Sequence, residues 1–557
     1  MNDVLLDKHR HRLDAAVAAI ASRGYYSAFD ESPSPRVYGA DAAAEGKAAF
    51  EALLDRPFAL DTPGAEGTVA TERSPYGFDL GVAYPRVTDP DALLSAAAAG
   101  RRAWRDAGPN ARAGVCIEIL DRLHGRIFEL ANAVQHTSGQ AFVMAFQAGG
   151  AHALDRALEA VAYAWTEMTR TPTTAVWEKP GPKPDSPPLR MEKTFTAVPR
   201  GIAMVVGCNT FPTWNGWPGL FASLVTGNPV VVKPHPGAVL PLAITVQVCQ
   251  EVLADAGFDP HLATLAAEDP ADKLAATLAV RPEVRLIDYT GGNAFGEWLE
   301  DNAKQAVVFT EKAGVNTVVI DSTDDFAGMC RNLAFSFSLY AGQMCTAPQN
   351  VYLPADGVET DQGRKSPAEV AAGIGAALEK LLGDDARAVE LLGGVVNPGV
   401  VERLDAAPGK GEVLVASRAV VHPAYPDATV RTPTLVGITA DDSEVYETEC
   451  FGPVSFVIST SGTDQSVDLF RDTVTRKGAM TAAVYSTSDD VVDRVRDAAL
   501  DAGVSLSENL LGGVFVNQTA AYSDFHGTGA NPAANASYTD AAFVAPRFRM
   551  IQSRRHI

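Results

Sequence analysis

Residues 229–234, "PVVVKP", form a short β-branched run that stops at a lysine and a proline. "GIAMVVG" at 201–207 precedes it and "VRLIDYTGG" at 284–292 follows it, both of the same texture. Runs this short and this evenly apolar belong to strands buried on both faces, as in a parallel sheet. Helical stretches separate them, such as "AVLPLAITVQVCQEVLADAG" at 238–257. This alternation predicts an α/β fold with a doubly wound sheet, in which ligands bind beyond the carboxyl ends of the strands. A second alternating set begins at "NTVVIDSTDD" (316–325) and runs to about residue 520.

Working outward, residues 89–168 carry alanine, leucine and arginine at helical spacing and predict successive amphipathic helices. Residues 27–90 are rich in Pro, Gly, Ser and Asp and read as irregular, with short strands near the end. "KPGPKPDSPPL" at 179–189 reads as an extended linker. The charged N-terminal stretch predicts a surface helix rather than a signal peptide. No segment reaches the ~18 uninterrupted apolar residues that a membrane helix needs.

The chain has 557 residues, enough for two or three domains, and its 46% hydrophobic and 20% charged content is globular. Lys+Arg 46 against Asp+Glu 68 gives a net charge of −22, which argues against nucleic acid and anionic membranes as partners. Six scattered cysteines show no metal-like spacing, so no metal is expected, and they suggest a reducing, cytoplasmic setting.

Five segments carry candidate chemistry. In "DYTGGNAFGEW" (288–298) a strand runs into Gly291 and Gly292 before a helix, where a diphosphate can approach the backbone, or where the glycines simply turn the chain. Lys233 follows a buried strand, either to bind ribose or phosphate or as an ordinary strand end. Glu311 closes an apolar strand in a half-buried place that raises a carboxyl's pKa, as a general base or a loop cap. Cys345, in "FSFSLYAGQMCTAP" (335–348), lies between a predicted helix and strand. Read alone it is packing; backbone N–H groups nearby would favour a thiolate and an oxyanion. Glu449 and Phe451, before Gly452-Pro453, suit a ribose and a flat heteroaromatic ring, or a structural turn.

Taken in order, "TFPTWNGWPGLFASLVTGNPVVVKPHP", "DYTGGNAFG", "EKAGVN", "AGQMCTAP" and "ECFGPV" resemble the aldehyde dehydrogenase superfamily, from about residue 85 to the C-terminus. The 34-residue interval from Glu311 to Cys345 matches the family's spacing of base and nucleophile. The resemblance implies a Rossmann-like cofactor domain (196–310) preceded by an N-terminal extension and helical part (1–168). It further implies a linker and β segment (169–195), an α/β catalytic domain (311–520) and a C-terminal oligomerisation segment (521–557). The last would pair the 170–190 region with "RFRMIQSRRHI" across a dimer partner.

The same resemblance makes Cys345 the nucleophile and Glu311 the residue that activates water to hydrolyse the thioester. Lys233, Gly291, Gly292, Glu449 and Phe451 would hold NAD or NADP. The family's oxyanion asparagine falls on Thr210 in "CNTFP", so Asn209, one residue earlier, is assigned that role. Pro236 stands where NAD-preferring members place a glutamate; with His235 nearby, NADP is expected to serve at least as well as NAD.

Within the superfamily the motifs, with "FDESPSPRVYG" and "NTFPTWNGWPGLFASL", resemble the ring-cleavage semialdehyde dehydrogenases of phenylacetate degradation in their stand-alone (PaaN-type) form. That implies a CoA-linked substrate, 3-oxo-5,6-dehydrosuberyl-CoA semialdehyde, and a separate hydratase or hydrolase. Two alternatives stay open: a CoA-acylating dehydrogenase, and a catalytically weak dinucleotide-binding protein.

Overall fold

The computed structural model describes residues 4–557. The runs that opened the sequence form a five-stranded parallel sheet, in the order Ala263–Leu265, Val230–Lys233, Ile202–Val206, Val284–Thr290, Val307–Glu311. Val206 pairs with both Lys233 and Tyr289, and Thr290 pairs with Glu311. These residues therefore share the carboxyl edge of the sheet. The α/β expectation is met here.

The second set builds a seven-stranded sheet, ordered Glu412–Val415, Thr434–Thr439, Val454–Thr460, Asn350–Pro354, Thr317–Ile320, Ala482–Tyr485, Leu506–Glu508. Only its first strand is antiparallel. Five residues separate Glu311, at the end of the first sheet, from Thr317, at the start of the second. The chain thus passes from one sheet to the other beside the carboxyl edge of the first.

Helices Gly108–Gly125, Ile127–Ser138 and His152–Thr169 pack with Pro212–Val225 and Leu240–Asp255 against the first sheet. The N-terminal helix Val4–Ser22 buries Leu6, Leu13 and Ile20 there, and each such side chain contributes roughly 1.5–3 kcal/mol. Gly114 lets it come close: a Cβ at this position would lie 2.4 Å from the backbone nitrogen of Leu6. Among the described residues no helix is long and apolar enough to cross a membrane.

Three expectations need correction. Residues 27–90 contain the expected short strands, Ala65–Val69 and Tyr84–Val87, but also a helix, Ala42–Glu51. Gly46 within it is a packing glycine whose missing Cβ makes room for Phe128. The C-terminal strand Phe548–His556 pairs within its own chain, antiparallel to Leu189–Pro199. Thr174–Lys179 takes the other side of that strand, so the proline-rich stretch is the hairpin loop between them. Finally, residues 521–547 do not belong to this outlying sheet. They cross between the two large sheets, burying Tyr522, His526, Tyr538 and Arg547.

Arg547 fixes that crossing. Its guanidinium, fully buried, forms a two-point ion pair with Asp288 in the first sheet, with 2.8 and 2.5 Å contacts, and donates to Ser223 Oγ at 2.7 Å. The rings of Phe309 and Phe543 flank it. Asp288→Ala should cost about 3–5 kcal/mol in chemical denaturation, because it strands a buried cation. A loss below about 1 kcal/mol, the size of a surface pair, would contradict this.

Candidate active site

Cys345 sits where the helix Phe326–Ser338 gives way to the strand Asn350–Pro354. The turn between them runs through three left-handed residues, Tyr340, Ala341 and Gly342, with φ of 53°, 49° and 64°. Two non-glycine residues in that region are costly and need outside support. The buried Tyr340 hydroxyl donates to Ser138 O, and its ring meets Phe211 edge-on at 5.6 Å. Gly342 admits the backbone of the neighbouring turn, since a Cβ there would lie 2.4 Å from Gly452 O.

The side chain of Asn316 pins the thiol's own backbone. It donates to Cys345 O at 2.8 Å and Ala347 O at 2.9 Å, and accepts from Met480 N at 2.9 Å and Thr481 N at 3.1 Å. Gln349 performs a similar task for the next loop, accepting from Cys450 N at 2.6 Å and donating to Thr448 O at 3.1 Å.

Glu311 is buried, and it and Cys345 converge on a third residue that the sequence did not disclose. His526 Nε2 lies 3.6 Å from Cys345 Sγ and 3.2 Å from Glu311 Oε2. Its ring meets Trp214 edge-on at 4.4 Å, and its backbone exchanges two hydrogen bonds with Tyr538. Burial pushes the Glu311 carboxyl up, but the facing imidazole, together with the Cys345 and Asn215 side chains, outweighs it and holds the group below its ordinary value. The raised value expected from sequence is therefore reversed. Burial and then the Glu311 charge drive the Cys345 thiol well above its ordinary value.

A cavity of about 560 Å³ opens on the thiol, walled by Phe211, Trp214, Asn215, Phe335, Met344 and Phe515. A second, of about 740 Å³, lies along the carboxyl edge of the first sheet and is lined by Lys233, Gly291 and Gly292 among others. The helix Asn293–Asn302 begins there with no side-chain cap, leaving its first amides free, and a Cβ on Gly292 would project into open space. A diphosphate suits this combination, so the residues fit a dinucleotide.

Two positions carry neighbours that the sequence reading did not include. Asn209 lines the second cavity, where its amide donates to Thr137 O at 3.0 Å and Gly237 O at 3.4 Å. The helix starts only at Pro212, and its first turns carry Trp214 and Asn215, not Asn209, toward the thiol. The carboxylate missing at Pro236 is also supplied from elsewhere. Glu268, beyond the strand Ala263–Leu265, pairs with Lys233 and accepts from Leu274 N at 2.6 Å. The His235 imidazole is pushed down by desolvation in the crevice and by the Lys233 ammonium, so it offers no positive charge near neutral pH.

Glu449 takes a hydrogen bond from the Gly314 amide, and burial raises its carboxyl to about 7. Phe451 lies on the same turn, where its carbonyl accepts from Arg403 Nε at 2.9 Å. Neither is among the residues lining the two cavities.

A crevice that fits a dinucleotide, a ring-walled cavity and a thiol beside a buried carboxylate suit a cofactor-dependent oxidoreductase with a cysteine at its centre. Residues 81–518 match the aldehyde dehydrogenase family, and the chain belongs to it. It is an oxidoreductase that acts on aldehydes with NAD or NADP. A solved structure described as an NAD-dependent aldehyde dehydrogenase from Burkholderia multivorans is 57% identical, with a TM-score of 0.98 over all of both chains. Vanillin dehydrogenase of Pseudomonas fluorescens is 24% identical over 450 residues, 78% of this chain and 86% of that one. A Thermus 1-pyrroline-5-carboxylate dehydrogenase with bound NAD shares the fold, with a TM-score of 0.73 at 18% identity over 96% of this chain and 99% of that one.

The two asparagines separate by experiment. Asn215→Ala should lower kcat by about 10²-fold or more if its amide meets the developing oxyanion, while Asn209→Ala should act mainly on the KM of the cofactor. The reverse pattern would restore the role to Asn209.

Proposed function

We propose that the chain oxidises an aldehyde to the free carboxylic acid through a thioester on Cys345, and that its substrate is the CoA-linked semialdehyde of phenylacetate ring cleavage. The observation that carries the chemistry is that Cys345 lines the 560 Å³ cavity while the buried Glu311 carboxylate lies behind it, both within reach of His526. When bound, the dinucleotide supplies the hydride acceptor. Lys233, Gly291 and Gly292 hold it along the crevice, and Glu449 and Phe451 are assigned its nicotinamide end. Cys345 Sγ forms the bond to the aldehyde carbon, and Asn215, which lines the same cavity, is assigned the oxygen. Once the acyl group is on sulfur, Glu311 takes a proton from water, whose oxygen attacks the thioester and releases the thiol. Water-activating Glu311 favours hydrolysis over transfer to free CoA.

The substrate assignment rests on the resemblance of the motifs, and a cavity of about 560 Å³ opens on the thiol to receive an acyl chain. A second reading, a free aromatic aldehyde, is favoured by the ring-lined wall (Phe211, Trp214, Phe335, Phe515), by the absence of Lys and Arg from the residues lining it, and by the vanillin dehydrogenase relative. We assign NAD as the preferred cofactor, because Glu268 beside Lys233 suits ribose hydroxyls and repels a 2′-phosphate.

A panel of CoA-linked semialdehydes and aromatic aldehydes, assayed without free CoA, decides between the substrates by kcat/KM. In that assay Cys345→Ala should give no turnover, and Glu311→Gln a burst of reduced cofactor followed by a slow steady state. Strict dependence on free CoA would establish acylation instead. Glu268→Gln should raise kcat/KM with NADP by about tenfold or more, since like charges in contact cost several kcal/mol. An unchanged NADP value would remove Glu268 from cofactor choice.

A further inference from the structure

His526 has no part in the chemistry above, yet it is the side chain that touches both reacting groups. It comes from the crossing segment 521–547, 181 residues after Cys345. We propose that His526 is a catalytic residue that takes the proton of Cys345, forming an imidazolium–thiolate pair before any aldehyde binds and leaving Glu311 free to act on water.

The geometry supports this in three ways. First, Nε2 faces the sulfur at 3.6 Å and the carboxylate at 3.2 Å, so one nitrogen serves both. With the neutral ring's proton on Nδ1, Nε2 accepts from the thiol: the S–H bond breaks, an N–H bond forms, and the electron pair stays on sulfur. The new N–H then faces Glu311, whose charge stabilises the imidazolium. Second, the ring is held in place by the edge-on Trp214 contact and by the two backbone bonds to Tyr538, which keep Nε2 turned to the sulfur and the carboxylate. Third, burial and the Glu311 charge both oppose a lone thiolate here, so a cation beside the sulfur is needed.

Several other groups act on the pair. Cys208 and Glu449 both disfavour the thiolate. Tyr538 and Asp524 stand near His526 on its own segment, and Arg156 lies behind the Trp214 ring at 5.5 Å. After hydrolysis the leaving thiolate meets the same imidazolium, so no separate acid is required for Cys345.

The inference deepens the proposed function and shares its nucleophile, but its test needs neither aldehyde nor cofactor. Either can therefore fail while the other succeeds. The full chain is alkylated with iodoacetamide across a pH series, with modification of Cys345 followed by peptide mapping. In the wild type the reaction should already be fast near about pH 7, and His526→Gln should slow it there by about tenfold or more, with the two converging at high pH where the thiol ionises unaided. His526→Asn serves as a second variant, and melting temperatures verify folding of both. A His526 variant that folds and alkylates at the wild-type rate throughout would overturn the proposal. The wild type alone gives an independent readout, an ultraviolet thiolate band that Cys345→Ala abolishes. It should be present near about pH 7, and its appearance only above about pH 9 would equally overturn the proposal.

Discussion

One amide side chain holds the reacting groups in register. Asn316 uses both of its donors and both acceptor positions, binding the loop of Cys345 on one side and the entry to the strand Ala482–Tyr485 on the other. It stands five residues after Glu311, where the chain leaves the first sheet for the second. A thiol on one sheet and a carboxylate on another meet reproducibly only if something fixes the junction between them. An amide with all four hydrogen bonds satisfied in a buried site does so with a geometry that no apolar side chain reproduces.

Around that junction the molecule divides its tasks by environment. The crevice along the first sheet is built from free helix amides, glycines and a lysine, which suits phosphate and ribose. The cavity over the thiol combines aromatic rings and a methionine with acidic side chains such as Asp155, Glu390 and Asp524. Between them lies a small buried set of ionisable groups that oppose one another: a thiol that burial drives up, and a carboxyl that an imidazole holds down. Glutamate can stay charged in so dry a place because the histidine faces it, and the crossing segment that brings the histidine is itself anchored by Arg547 on Asp288.

The parts legible in the sequence were those whose signal is local. β-branched runs ending at Lys233, Thr290 and Glu311 announce the sheet and its carboxyl edge, and the glycines after Thr290 announce the helix start that receives a diphosphate. What escaped was contributed by distant chain. Glu268 reaches Lys233 from another strand, so counting three residues along from the lysine could not find it. His526 lies in "DFHGTGANP", a stretch with no periodicity, and only the crossing of that segment between the sheets brings it to the sulfur. The surroundings of Asn209 were also set by distant chain: its amide donates to Thr137 O and Gly237 O at the crevice. The helix Ala42–Glu51 was hidden by the Pro, Gly, Ser and Asp content of its surroundings, and its own Gly46 serves close packing against Phe128.

The central claim, an acyl group carried on Cys345 and released by Glu311, is tested most directly by intact-protein mass spectrometry. Glu311→Gln is mixed with NAD and an aldehyde that the wild type turns over, quenched in acid and weighed. A stoichiometric mass increase equal to the acyl group in place of the thiol hydrogen, mapped to the peptide bearing Cys345, is predicted. The wild type quenched in the same way should carry little of it. An adduct on another residue, or an active Glu311→Gln enzyme that accumulates none, would contradict the claim.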